Sequence, residues 1–550
     1  MVMRYATIVL SGRYREIPHA GHSPAARLAD RHAFCYSEFS ATLHALRRSR
    51  TLKRALIECR EDFLPGYNSA AEAIRRDLVA LRDSGVELHF YAPRYSEAAL
   101  YIASGCNYRY IAPLGTIALT GFGATFVFLR RLLERKGVHA EVFKRGAYKS
   151  AADGLRSDSL DPAVRRQYQE YFDVQQREFN RTVCDGMSRS ISQINELIEG
   201  RVLHDTEAVE QGWVSEVISL EQLQQRWKDS KTRAKQLKIR SRGYGRGKQV
   251  AVLAIDGAIV EGRSRRDPLM GTAVGSRSLV QQITTLRENK KCAAVVLRIN
   301  SPGGSAAASE LIRHELLRLG ERKPLVASMS TVAASGGYWI ACAAPLILAE
   351  RTTLTGSIGV IGLVMTAAKL FHRLGISFHA LKTGPFRDLG TPVRAMTADE
   401  KQLVDREIEY TYQRFLTLVA ASRKISVEHV HQLGQGRIWD GAEALQQRLV
   451  DEIGGLPQAV ERAAAIAGVS SAGVRFYPQH KPTLLERLLA SRSGNALLSQ
   501  SSAAFAPGMP AHGYCAPAQL AAAFEALRRE PLAILPQALY STLHSTLLSM

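Results

Sequence analysis

The chain carries one pattern twice. Phe143-Lys-Arg-Gly-Ala-Tyr-Lys149 resembles Leu381-Lys-Thr-Gly-Pro-Phe-Arg387, an offset of 238 between residues 149 and 387. Farther on, Gly200-Arg201-Val202 followed by Glu207-Ala208 matches Gly436-Arg437-Ile438 followed by Glu443-Ala444, now at an offset of 236. A two-residue insertion or deletion between the blocks accounts for the change. Self-similarity at a fixed spacing marks duplicated structure, and it restricts this chain to two like units in tandem. The 550 residues leave room for both units to hold full cores.

Between the matched blocks both copies show one helical pattern. Thr397 with Glu400 three residues on forms a capping box, and Val404, Ile408, Tyr412, Phe415 and Val419 follow at helical spacing. In the first copy Asp161 before Pro162 is an N-cap with proline at the first helical position, and Tyr168, Phe172, Phe179 and Val183 take the same stripe. These stripes read as core faces. Upstream, short β-rich runs alternate with helical patterns: residues 55–59 then 70–81 in one copy, 293–299 then 306–319 in the other, with a further strand over 325–329. That alternation predicts βαβ-like units and an α/β class. The expected division is residues 1–229 and 249–470 as the two units, a basic linker over 230–248 and a partly mobile Ala-, Ser- and Pro-rich extension over 471–550.

Composition narrows the function. Hydrophobic residues at 46% and charged residues at 22% fit a folded soluble protein and exclude wholesale disorder. The formal charge of +21 favours an anionic neighbour such as lipid headgroups or nucleic acid, but the basic residues are scattered, with one dense run over 228–248. A solvated Arg-rich surface explains them equally well. No aromatic-interleaved nucleic-acid platform appears, so no nucleic-acid partner is expected. Cys35, Cys59, Cys106, Cys184, Cys292, Cys342 and Cys515 are widely spaced, without a CxxC pair, which argues against a disulfide framework or a zinc site. No metal or other cofactor is expected. The N-terminal MVMRYATIVLSGRYRE has an apolar run far short of the ~20 residues that span a bilayer, and reads as a first strand.

Chemistry concentrates in two glycine-rich turns of the second copy. Ser335, in Thr331-Val-Ala-Ala-Ser335-Gly336-Gly337, stands where a strand gives way to an apolar helix. A serine there can present its hydroxyl beside the free Gly336 N–H, or can serve merely as an N-cap. About thirty residues earlier Asn300-Ser301-Pro302-Gly303-Gly304-Ser305 follows another strand. Its amides, those of Gly303 and Gly304 among them, offer the second wall of an oxyanion hole, or else simply turn a strand into a helix.

A serine nucleophile needs a base. His314, His372, His379, His429 and His431 lie in unremarkable surroundings, whereas Lys149 is matched in the repeat by Arg387. Arginine stays protonated, while a buried lysine can fall from ~10.4 toward 7–8 and accept a proton. Ser335 shows the reverse asymmetry, because the same offset places Glu97 opposite it. One copy kept the serine and the other the lysine.

The motifs SPGGS, ASGGYW and LTGSIGV in the second copy, with GAYKSAAD in the first, resemble the long tandem form of signal peptide peptidase SppA, a Ser/Lys-dyad family of the ClpP/crotonase superfamily. The resemblance covers roughly residues 5–470. It implies two tandem crotonase-like domains of repeated ββα units, Ser335 as nucleophile, Lys149 as base, and the Gly336 amide with Gly303 or Gly304 as oxyanion hole. It further implies that the Ser357 hydroxyl positions the lysine, that remnant signal peptides are cleaved at a membrane, and that the chain forms a ring-like homo-oligomer such as a tetramer. Long-form members usually carry an N-terminal membrane anchor. None is visible here, so a cytoplasmic or peripheral protein is the alternative, and residues 518–529 offer an interfacial helix or a subunit contact. Two other functional classes stand beside the peptidase: an inactive crotonase-like scaffold, and a crotonase-type enzyme acting on acyl-CoA thioesters.

Overall fold

Aliphatic and β-branched runs build two sheets of matching topology. The computed structural model describes residues 4–17, 34–61, 63, 68–229, 233–234, 243–244, 247–267, 271–469 and 473–478. The expectations placed on Cys515, on residues 518–529 and on most of 230–248 and 471–550 lie outside these. In the first repeat Arg4–Leu10, Leu52–Cys59, Glu87–Tyr95 and Tyr108–Ile117 run parallel in that order. In the second, Gln249–Asp256, Cys292–Ser301, Leu325–Ala334 and Leu346–Ala349 do the same. Among their further strands the sheets share a short antiparallel one, Leu203–His204 or Ile438–Trp439, and a short parallel one, Glu216–Val217 or Glu452–Ile453. Parallel neighbours require crossovers, and these supply the helices Ser69–Arg82 and Glu97–Ala103 in one repeat and Ala306–Gly320 and Gly336–Ala341 in the other.

The central strands are apolar on both faces, as parallel strands covered on two sides must be. Alternation then sorts their side chains. Val250, Val252, Ala294, Val296 and Val326 join a core shared with the first repeat, while Ala251, Leu253, Val295, Leu297 and Ala327 face the second repeat's own helices. The two repeats therefore share one apolar layer. The same junction holds a buried ion pair: Arg298, 1% exposed, donates through Nε to Glu16 Oε2 at 2.9 Å and through Nη1 to Ser328 Oγ and Met329 O, both at 2.9 Å.

Most elements run past their sequence patterns. The strand expected over 325–329 is Leu325–Ala334, because the buried hydroxyls of Ser328 and Ser330, bonded to Arg298 and Glu16, continue it where apolar periodicity breaks. Both long helices, Pro162–Met187 and Ala398–Arg423, start at the expected caps. Tyr412, Phe415 and Val419 are buried as the stripe requires, but Val404 and Ile408 are only half-buried, so the stripe is a core face over its C-terminal half alone. Within the stretch read as a linker, Arg233–Ala234 and Gly243–Tyr244 pair as edge strands of the two sheets.

One further pairing crosses the repeats. His139–Arg145 of the first lies antiparallel to Val360–Thr366 of the second over seven residue pairs, from Val360 opposite Arg145 to Thr366 opposite His139. Arg145 anchors it, with Nη1 and Nη2 on the Asp405 carboxylate at 2.9 and 2.7 Å and Nε on Glu409 at 2.5 Å.

Candidate active site

The ribbon delivers a lysine to a serine. Leu325–Ala334 ends at Ser335, whose φ of 53° and ψ of −119° are a strained combination for a residue with a Cβ. The backbone is held there by the Ser335 N–H on Gly356 O at 2.9 Å and by Trp339 N–H on Ser335 O at 2.9 Å. Ser335 precedes the helix Gly336–Ala341, but its hydroxyl makes no capping bond. The N-cap alternative is thereby removed.

The hydroxyl instead meets Lys149, whose Nζ lies 3.0 Å from Ser335 Oγ, 3.0 Å from Ser357 Oγ and 3.0 Å from Ser357 O. Lys149 is 5% exposed, and burial pushes its ammonium down to about 7. Its hydrogen-bond partners are hydroxyl and carbonyl oxygens, with no carboxylate to restore the charge. Lys144, in the strand His139–Arg145, does have one: its Nζ lies 3.4 Å from both Asp153 carboxylate oxygens, and Lys382 is likewise paired with Asp388 at 2.6 Å in the other repeat.

The lysine turn is fastened to the second repeat. Tyr148 N–H donates to Gln435 O at 2.8 Å, and Lys149 N–H closes the turn on Gly146 O at 3.2 Å. Gly436 presses against it so closely that a Cβ there would lie 2.6 Å from the Lys149 nitrogen. The repeat marked Gly436 as recurrent, yet gave no sign that it touches the lysine. The SPGGS turn is clamped in a comparable way: Ile259 N–H reaches Gly303 O, and Ser305 N–H reaches Ile259 O, each at 2.9 Å. Gly303 lies under Ser335, where a Cβ would come 2.7 Å from both Gly336 N and Ser335 Cβ. The Gly303 N–H is itself taken by the buried Ser301 hydroxyl at 3.1 Å, a contact the sequence did not single out. Of the histidines, His431 engages Tyr412 and Gln435 at 3.0 Å each, away from Ser335.

A hydroxyl beside a buried amine, on parallel α/β units that recur in tandem, is an arrangement suited to acyl transfer, and the chain is a serine-type peptidase. It belongs to peptidase family S49, whose profile matches residues 80–234 and again 318–470. The chain is 32% identical over 455 residues to "Protease 4" of Salmonella typhi, covering 79% of this chain and 72% of that one. It is 30% identical over 416 residues to "Serine protease SPPA, chloroplastic" of Arabidopsis thaliana, at 72% and 61% coverage. A "Putative signal peptide peptidase SppA" of Enterococcus faecium is 30% identical over 208 residues, 38% of this chain and 60% of that one. A solved structure of a ClpP1 mutant from Listeria monocytogenes aligns with 38% of this chain at 15% identity and a TM-score of 0.26, too slight a likeness to argue from.

Proposed function

We propose that the chain hydrolyses peptide bonds through a Ser335–Lys149 dyad. The observation that carries this is the 3.0 Å contact between Lys149 Nζ and Ser335 Oγ in a site where burial favours the neutral amine. Neutral Lys149 takes the hydroxyl proton as Oγ attacks the substrate carbonyl, then returns it to the leaving amine; water hydrolyses the acyl-enzyme by the same route. Ser357 offers two acceptors that fix the lysine's direction. The Gly336 amide, at the first position of its helix, faces the developing oxyanion. Gly304 supplies the second donor in this reading, because Ser301 occupies the amide of Gly303.

The substrates are proposed to be remnant signal peptides or other membrane-associated peptides with a small or apolar side chain at the cleaved bond. The match to a relative described as a signal peptide peptidase supports this, as does the chain's positive charge against anionic lipid. Among the described residues no helix is long and apolar enough to cross a membrane. Self-association into a ring-like homo-oligomer completes the reading. Incubating the purified full chain with a panel of signal peptides tests it: the wild type cleaves, and Ser335→Ala does not. Cleavage that persists in Ser335→Ala, or failure of the wild type on every peptide, overturns it.

A further inference from the structure

One helix of the second repeat holds the lysine turn at two points. Asp405, Glu409 and Tyr412 recur at i, i+4 and i+7 on Ala398–Arg423 and so share one face. The two carboxylates hold Arg145, which ends the strand His139–Arg145 just ahead of the turn. Tyr412 reaches the turn itself through two further side chains, by a chain of hydrogen bonds. Its Oη lies 3.0 Å from His431 Nδ1, His431 Nε2 lies 3.0 Å from Gln435 Nε2, and Gln435 Oε1 accepts from the Ala147 N–H at 3.5 Å.

The polarity of this relay follows from its last member. A backbone amide only donates, so the atom facing Ala147 is the Gln435 oxygen, and the group facing His431 is the Gln435 NH2. His431 Nε2 therefore accepts, the ring proton sits on Nδ1, and Nδ1–H donates to the Tyr412 hydroxyl. Every donor points toward the helix, an arrangement in which each bond polarises the next.

The main chain of Gln435 meets the same turn. Its carbonyl accepts from the Tyr148 N–H at 2.8 Å, and a Cβ on Gly146 would fall 2.2 Å from its carbonyl carbon. Three successive residues before Lys149 thus rest on one glutamine. Its φ of 56° is left-handed, a conformation that persists in a residue with a Cβ where the surroundings fix it. The next two residues hold the lysine's other partner, because Gly436 N–H donates to Ile358 O at 2.8 Å and Ser357 N–H to Arg437 O at 2.7 Å. Residues 435–437 therefore set the turn of Lys149 against the turn of Ser357.

The first repeat shows the same corner without its load. At the offset of 236 that aligns Gly200 with Gly436, Gln176, Asn195 and Glu199 stand where Tyr412, His431 and Gln435 do. Glu199 has an ordinary φ of −74°. A Cβ on Gly200 would meet nothing within 4 Å, whereas one on Gly436 would lie 2.6 Å from the Lys149 nitrogen. The relay and the left-handed glutamine stand in the repeat whose corner carries the lysine.

We infer that Gln435 is a positioning residue for the dyad, oriented by His431 and Tyr412, and that this relay fixes where Lys149 Nζ stands between Ser335 and Ser357. The inference rests on the Ser335–Lys149 reading above. His431 does not reach Ser335, and it acts on the reaction through the turn that carries the lysine.

The test compares full-chain variants in kcat, KM and the pH limb of kcat/KM on one peptide. Gln435→Gly removes the side chain and suits φ 56°, so it folds, with far-UV circular dichroism unchanged. It lowers kcat by about tenfold or more at unchanged KM. The limb near 7 also moves to higher pH, because a lysine that leaves its buried seat regains water and holds its proton more firmly. His431→Ala lowers kcat in the same way, and His431→Gln, whose side-chain oxygen can accept where Nε2 did, restores most of that loss. His431 stands at the surface, so this pair folds and decides the matter even where Gln435→Gly does not. A Gln435→Gly protein with the kcat and limb of wild type, a loss confined to KM, or His431→Gln no better than His431→Ala overturns the relay and leaves the dyad standing. A wild type inactive on every peptide, or cleavage surviving in Ser335→Ala, overturns the dyad and the relay with it.

Discussion

Lys149 and Ser335 are 186 residues apart in sequence, and the lysine Nζ lies 3.0 Å from the serine Oγ. Each belongs to a different repeat. Each repeat's matching position has lost the partner residue, Arg387 in one case and Glu97 in the other. If this pair carries the chemistry, Ser335→Ala and Lys149→Ala each abolish peptide cleavage in the full chain, and the double variant is no worse than either, because members of a unit do not contribute additively. Initial rates on a fluorogenic peptide check this. Lys149→Ala retaining more than trace activity would point to a different base.

Activity rises with pH through a limb near 7, since only the neutral amine accepts the serine proton and burial sets Lys149 to about 7. The pH dependence of kcat/KM for the full chain reads that limb directly. In Ser335→Ala protein, the lysine's titration followed by NMR gives the same value without relying on turnover.

The same burial has a stability signature. The folded chain holds Lys149 below its ordinary 10.5, so between about 7 and 10.5 the unfolded state binds more protons and the lysine's cost diminishes as pH rises. Below pH 7 the cost is at its full value of about 5 kcal/mol. Lys149→Met therefore unfolds at higher urea than wild type at pH 6, and the gap closes by about pH 10.

Gly436→Ala costs activity without unfolding the protein. Its Cβ would fall 2.6 Å from the Lys149 nitrogen and 2.8 Å from Lys149 Cα, which moves the lysine while leaving both sheets intact. Displacing a catalytic group by about 1 Å can cost a hundredfold. Equal kcat/KM for Gly436→Ala and wild type would show that the turn has slack.

At the junction of the repeats, Arg298→Ala strands the Glu16 carboxylate at a buried site and destabilises by about 3–5 kcal/mol. Replacing both as Arg298→Met and Glu16→Leu recovers most of that loss, because an apolar pair needs no desolvation of charge. Urea midpoints of the two variants decide it.

Fragments divide the site. A chain ending near residue 235 keeps the lysine without the serine, and one starting near 248 keeps the serine without the lysine, so each is inert alone. The second fragment also loses the ladder partner of Val360–Thr366 and exposes Val250, Val252, Ala294 and Val296. Co-expression restores cleavage if the halves reassemble. Robust cleavage by the C-terminal fragment alone would place the base within residues 248–550.

The sequence alone determined what local rules and duplication determine. Short β-rich runs, the Thr397 capping box and the Asp161–Pro162 start are short-range signals, and the elements formed where those signals stand. The paired offsets near 238 required two like units and exposed the reciprocal loss of lysine and serine. Tertiary structure decided the rest, because it depends on atoms distant in the chain. Whether Ser335 caps a helix or faces an amine turned on a backbone at φ 53° and on a ribbon between strands of different repeats. Ser301 claiming the Gly303 amide, and Gly436 lying against Lys149, are contacts between residues whose types are common and whose spacing carries no period. The lysine's lowered proton affinity belongs to no residue in the sequence; it arises because folding removes water from Nζ and supplies oxygens without negative charge.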